Sequence, residues 1–127
     1  MTPRVLVVDD DPQVLKLLRL NFEMEGYDVD AAPDGAAALA AAAQRRPDAV
    51  VCDVMMPGMD GLEVVRRLRA DPELSDVAIV VVSAKAQRSD MRDGVAAGAD
   101  EYVTKPFDPQ EVLDAVARLL EGAGSGS

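Results

Sequence analysis

Three hydrophobic runs constrain this chain more than any other feature. Val5-Leu6-Val7-Val8, Ala49-Val50-Val51-Cys52 and Ile79-Val80-Val81-Val82 are short, rich in β-branched residues and free of interleaved polar ones. A strand that is apolar at every position must be covered on both faces, as in a parallel sheet flanked by helices. Longer amphipathic stretches separate the runs, and a parallel connection requires a crossover of that length. The expected strands are 4–8, 27–31, 49–53, 78–82 and 101–104, with helices near 12–24, 35–45, 61–69, 87–97 and 109–121. That alternation implies an α/β fold with a five-stranded parallel sheet and helices on both faces.

Helix ends carry their own signals. Asp11-Pro12 reads as an N-cap followed by proline at the first helical position,. Asp108-Pro109 repeats the pattern, with Glu111 completing a capping box, and Asp60 with Glu63 offers another,. Gly26 and Gly98 stand where a left-handed residue commonly stops a helix,. The chain of 127 residues fits one domain over 1–121, followed by a Gly/Ser tail, 122–127, of flexible-linker composition,.

The runs matter chemically because of what ends them. The first stops at Asp9-Asp10-Asp11, the second at Asp53 and the third at Ser83, while Tyr102-Val103-Thr104 stops at Lys105. Parallel strands bring all these ends to one edge of the sheet. Three carboxylates, a hydroxyl and an ammonium there suit a hard divalent cation and a phosphoryl group. Mg²⁺ takes oxygen ligands, commonly one or two carboxylates with waters. Asp10 and Asp53 are the candidate direct ligands, and Asp9 is placed to act directly or through water. A carboxylate can also attack phosphorus to form an aspartyl-phosphate, whose oxygens then need metal, lysine and hydroxyl or N–H partners.

Composition removes other classes. Net charge is −10, with 23 acidic residues against 13 basic, which opposes direct nucleic-acid binding,. One cysteine excludes an internal disulfide framework, and with no histidine a zinc site is not expected,. Alternation points Cys52 to the face away from Asp53, as a buried thiol. No apolar stretch is long enough to span a membrane, and no basic segment precedes an apolar signal core, so the expected location is cytoplasmic with no membrane contact,.

In Val7-Val8-Asp9-Asp10-Asp11, Asp53-Val54-Met55-Met56-Pro57-Gly58-Met59-Asp60-Gly61, Ser83-Ala84 and Gly98-Ala99-Asp100-Glu101-Tyr102-Val103-Thr104-Lys105-Pro106-Phe107, the chain closely resembles the receiver domain of bacterial two-component response regulators. The resemblance runs from Val5 to about Leu120. It implies the flavodoxin-like strand order 2-1-3-4-5 and a phosphorylation-activated signalling switch. Asp53 is then the phosphoacceptor, served by a histidine kinase or phosphotransfer protein. Asp9, Asp10, Asp53 and the Met55 carbonyl hold Mg²⁺. Lys105 contacts the phosphoryl oxygens, Ser83 donates its hydroxyl to them, and Tyr102 turns inward behind Ser83. The Lys105-Pro106 bond matches one that the family keeps cis. Such a domain catalyses only its own phosphorylation and dephosphorylation and is no conventional enzyme.

The resemblance also implies a partner surface, formed by the fourth helix, fifth strand and fifth helix, for an output domain or a downstream protein. Winged-helix members dimerise there through an acid at 88 and arginines at 91 and 115. This chain has Arg88, Met91 and Ala115 instead, which disfavours that salt-bridged dimer and leaves the centre of the face less charged. Two other functions compete: an interaction module of the same fold that works without phosphorylation, and a small Mg²⁺-dependent phosphatase. The complete acidic trio with Ser83 and Lys105 opposes the first, and the lack of a substrate-binding insertion opposes the second.

Overall fold

A computed structural model describes residues 2–125. The elements alternate as β1(Arg4–Val8), α1(Pro12–Met24), β2(Asp28–Ala32), α2(Gly35–Gln44), β3(Ala49–Asp53), α3(Gly61–Ala70), β4(Ala78–Ser83), α4(Arg88–Ala97), β5(Glu101–Thr104) and α5(Pro109–Ser125). All strand pairs are parallel, and the sheet order is β2-β1-β3-β4-β5. Helix α5 continues past the expected end at 121, as far as Ser125. Of the expected flexible tail, residues 126 and 127 lie outside the described ones.

Strand alternation splits each apolar run between two cores. Leu6, Val8, Val50, Cys52, Ile79 and Val81 face one side, against Ala38 and Ala42 of α2, Val64, Val65 and Leu68 of α3, and Ala97 of α4. Val5, Val7, Ala49, Val51, Val80 and Val82 face the other, against Leu18 and Phe22 of α1 and Val112 and Val116 of α5. Every residue of β1, β3 and β4 therefore loses apolar surface to a helix on its own side, except the polar ends and Arg4. This explains why the runs carry no alternation.

Strand β2 begins at Asp28, one residue later than expected, because Tyr27 is held in the turn that follows α1. The Tyr27 N–H donates to the Phe22 carbonyl at 3.1 Å, and the two rings meet edge to face with centroids 5.2 Å apart,. Asp11 caps α1 by accepting from the Gln13 N–H at 2.9 Å, and Asp60 caps α3 by accepting from Glu63 N–H at 2.9 Å. The reciprocal half of the expected box is missing there, since the Glu63 carboxylate is held by Arg66 and Arg67 at 3.2 and 3.0 Å. At α5 the reciprocal half does form, the Asp108 N–H donating to Glu111 at 3.1 Å, while the Asp108 side chain caps by accepting from the Gln110 N–H at 2.9 Å. Gly98 closes α4 at φ 116°, a left-handed conformation open to glycine,. Among the described residues no helix is long and apolar enough to cross a membrane.

The edge opposite the strand C-termini is tied by one side chain. Arg69, at the end of α3, donates to the carbonyls of Gly98, Ser75 and Val77 at 2.9, 2.9 and 2.6 Å, and to the Asp100 carboxylate at 2.9 Å. Asp100 in turn accepts from the Ile79 N–H at 2.8 Å. One guanidinium thus holds together the ends of α3 and α4 and the entry to β4. Arg69→Ala should lower stability by about 2–3 kcal/mol in urea unfolding, since three carbonyls and a carboxylate lose a charged donor. Arg69→Lys should recover only part of the loss, because a single ammonium cannot span a fork-shaped set of acceptors.

Candidate functional site

Register sets the site. Val8 pairs with Cys52, Asp53 with Val82 and Ser83 with Thr104, so the central strands end level with one another. Asp9, Asp53, Ser83 and Lys105 consequently leave the sheet side by side. Ladder-like hydrogen bonds continue beyond the strands, with Asp9 N–H on Ala32 O at 3.2 Å, Val54 N–H on Val82 O at 2.9 Å and Lys105 N–H on Ser83 O at 2.8 Å. These bonds hold the first loop residues in the plane of the sheet and fix where their side chains start.

The carboxylates of Asp9, Asp10 and Asp53 each place an oxygen within 4.8 Å of the others. Asp9 and Asp53 are 1% and 3% exposed, whereas Asp10 is exposed to solvent. Asp9 accepts from the Asp11 N–H at 2.9 Å and from Lys105 Nζ at 3.1 Å. Lys105 Nζ also stands 3.4 Å from Asp53 Oδ1, which accepts from the Met55 N–H at 3.3 Å. One ammonium is therefore shared between two buried carboxylates. The Lys105–Pro106 peptide bond is cis, as the resemblance implied.

This arrangement is electrostatically unbalanced. Burial first, and then the Asp9 charge, push the Asp53 carboxyl from 3.8 up to about 6, against the opposing pull of Lys105 and the Met55 N–H,. Lys105 lies above its ordinary value. Burial alone would lower it, but its hydrogen bond to Asp9 and the charges of Asp53 and Asp9 prevail. Negative charge is thus in excess, and the Asp53 oxygen is unusually ready to take a cationic or electrophilic partner.

The loop after Asp53 is kept close by Gly61. Its N–H donates to the Val54 carbonyl at 2.9 Å, and a Cβ there would collide with the Asp53 carbonyl,. Met55 is exposed beside the cluster, in a shallow recess lined also by Val54, Met56, Asp60 and Lys85. Cys52 is buried on the opposite face, its thiol raised far above the ordinary value by burial and then by Asp53, so it stays protonated and inert,.

Ser83 is fully buried at the end of β4, where its Oγ accepts from the Lys85 N–H at 3.1 Å and keeps its own proton to donate. Tyr102 is half-buried in β5 opposite Val81, and its hydroxyl donates to the Lys85 carbonyl at 2.7 Å. Lys85 therefore joins the two through its backbone. The sequence carried no signal for it, because a main-chain role leaves the side chain unconstrained. On the expected partner face, Met91 is exposed, and Ala115 of α5, though almost fully buried, lines the groove beside it.

With this geometry in place, comparison with known proteins is direct. The model of the response regulator receiver domain matches residues 5–117. The DNA-binding dual master transcriptional regulator RpaA of Synechocystis sp. is 44% identical over 118 residues, covering 93% of this chain and 49% of that protein. The DNA-binding response regulator MtrA of Mycolicibacterium smegmatis is 47% identical over 120 residues, covering 94% and 51%. The chain thus spans about half the length of these curated relatives. Among solved structures, the chemotaxis response regulator CheY4 of Vibrio cholerae superposes with a TM-score of 0.89 at 31% identity, covering 94% of this chain and 99% of that one. Sheet order, the acidic strand-end cluster and a family match across nearly the whole sheet agree, and the chain belongs to the response regulator receiver domain family.

Proposed function

We propose that this receiver domain is a switch set by phosphorylation of Asp53. The observation that carries the reading is the buried Asp53 carboxylate, raised to about 6 and held 3.4 Å from Lys105 Nζ. A Asp53 carboxylate oxygen attacks phosphorus, the phosphorus–nitrogen bond of a phosphohistidine donor breaks, and the released electron pair returns to the donor imidazole, which takes a proton. The donor is a histidine kinase or phosphotransfer protein. Lys105 compensates the charge arriving on the phosphoryl oxygens, and the Ser83 hydroxyl supplies a further donor. Attack of water on the same phosphorus frees Asp53 again, so the domain's chemistry is confined to itself.

Three converging carboxylates, only two of which share the Lys105 ammonium, fit a divalent cation, because their oxygens already lie close together and the third, Asp10, is open to solvent,. Asp9, Asp10, Asp53 and the Met55 carbonyl would hold Mg²⁺, whose charge would neutralise phosphoryl oxygens during transfer. The output surface is the face of α4, β5 and α5. It carries a groove of about 440 Å³ lined by Met91, Tyr102, Thr104, Glu111, Asp114 and Arg118. Its occupant is an output domain in a longer chain, in keeping with relatives twice this length named as DNA-binding regulators, or a separate downstream protein.

Asp53→Asn should abolish uptake of a phosphoryl group from a small phosphodonor, read by mass spectrometry. A phosphoryl group mapping to Asp9 or Asp10 in the unsubstituted protein would overturn the assignment. Mg²⁺ titration should show a single site, and Asp10→Asn should weaken it roughly tenfold or more through loss of a ligand charge. Unchanged affinity in that variant would remove Asp10 from the ligand set.

The raised Asp53 also predicts a pH dependence of stability. Between 3.8 and about 6 the folded chain keeps a proton that the unfolded chain has released,. Stability gained from neutral Asp53 is complete below the ordinary value and is lost as pH rises through about 6. Asp53→Asn stays neutral throughout. Without divalent cations it should exceed the unsubstituted chain by about 2–3 kcal/mol near pH 8, with the difference shrinking towards zero near pH 4. Urea unfolding at the two pH values measures this directly.

A further inference from the structure

Helix α4 contains a glycine in its interior, where glycine is the poorest choice after proline,. Gly94 is not among the glycines with positive φ, so the backbone does not require it. Space does. A Cβ at Gly94 would stand 2.9 Å from Cδ2 and 3.4 Å from Cε2 of Tyr102, while its next neighbour, Val81 Cγ2, would be at an ordinary 3.7 Å. The sheet would therefore accept a methyl group at this position. Only the tyrosine ring stands in its way.

The ring that fills this space is the one whose hydroxyl donates to the Lys85 carbonyl at 2.7 Å, and the Lys85 N–H donates to Ser83 Oγ at 3.1 Å. Ser83 and Tyr102 are thus connected through the backbone of Lys85, provided the ring lies inward over α4. The ring also has somewhere else to go, since it borders the groove lined by Met91, Thr104 and Arg118. A tyrosine with an inner seat and an open outer groove has two positions, and residue 94 decides whether the inner one exists.

We propose that Gly94 is the seat of Tyr102: its missing side chain admits the inward ring and so makes it a positioning residue for coupling between Ser83 and the face of α4, β5 and α5. The consequence for signalling rests on the switch reading above, but the seat itself is a property of the free protein. Any side chain at 94 should expel the ring, break its bond to Lys85 and leave Asp9, Asp53 and Lys105 untouched.

The test uses Gly94→Ala in a Tyr27→Phe background, where Tyr102 is the sole tyrosine. In the free protein, NMR cross-peaks between the Tyr102 ring and the Val81 methyls should be present with Gly94 and lost in Gly94→Ala. Binding of beryllofluoride, a phosphoryl mimic, should remain, while its effect on the amides of α4 and β5 should be lost. Because alanine is the better helix former, Gly94→Ala should raise the melting temperature once the ring is removed by Tyr102→Ala, and raise it less or lower it when the ring is present. Ring contacts unchanged in Gly94→Ala overturn the proposal. So does a double variant, Gly94→Ala with Tyr102→Ala, that fails to fold, since Gly94 would then serve packing unrelated to Tyr102. If Gly94→Ala loses the ring contacts but beryllofluoride leaves α4 and β5 unmoved in the Gly94 protein, the seat stands and the switch reading fails.

Discussion

Two carboxylates with almost no access to water, side by side and sharing one lysine, are the condition around which this fold is organised. Asp9 and Asp53 come from adjacent strands whose register makes their closeness unavoidable. Their repulsion must be met by a cation brought from far along the chain, and Lys105, 96 positions from Asp9, supplies it only once β5 has docked on β4. The ion pair therefore depends on completion of the sheet. It also leaves the site short of positive charge, because burial and the Asp9 charge together outweigh what the ammonium gives back to Asp53. Such a local cost, set within an otherwise well-packed domain, is typical of a site shaped for binding or reaction.

The rest of the molecule makes that cost tolerable. Both faces of the central strands are sealed by helices, and no buried side-chain polar atom among the described residues lacks a hydrogen-bond partner. Arg69 secures the far edge, where the chain enters β4 and leaves α4. Rigidity at that edge and in the sheet confines adjustment to the loops at the strand C-termini. There the links are few and specific: Ser83 to the Lys85 N–H, the Lys85 carbonyl to Tyr102, and the Tyr102 ring to the open space above Gly94. On the switch reading proposed above, a change at the acidic cluster has this short route to the surface, since the tightly packed neighbouring strands offer no other.

Much of this was legible in the sequence, for a physical reason. Uninterrupted runs such as Val5 to Val8 report burial on both faces, and their polar terminators report where a parallel sheet gathers chemistry. Asp9, Asp10, Asp53, Ser83 and Lys105 could all be named from that logic, and the structure brings the three carboxylates and the lysine into one cluster. What escaped notice depends on contacts that no local pattern encodes. Tyr27 has the residue type of a strand position, but its ring packs edge to face on Phe22. Glu63 had the spacing of a capping box, yet two arginines one turn on compete for it more strongly. Ala115 lines the groove on the face of α4, β5 and α5, yet it is almost fully buried, which its place in a surface motif did not reveal. Lys85 acts through its main chain, and Arg69 through carbonyls in two separate connections, so neither left a pattern to read. Gly94 did leave a trace, a glycine inside a helix, but its meaning required the ring across from it.

The partner face shows how such tertiary contacts change a functional reading. Glu101 on the edge strand β5 is not a charge free for a neighbouring chain, because Arg118 of α5 engages both its oxygens, at 2.9 and 3.1 Å. Asp114 is likewise held by Gln110 at 2.8 Å, and Glu111 is occupied with capping α5. The charged groups around the groove are therefore committed within the chain, and a partner that relied on them would have to break existing bonds for those it makes. Exposed Met91 and Val95 on α4 carry no such commitment. On the output surface proposed above, affinity would then come largely from apolar burial over α4, next to the ring of Tyr102, where a shift of a single side chain changes the shape that a partner meets.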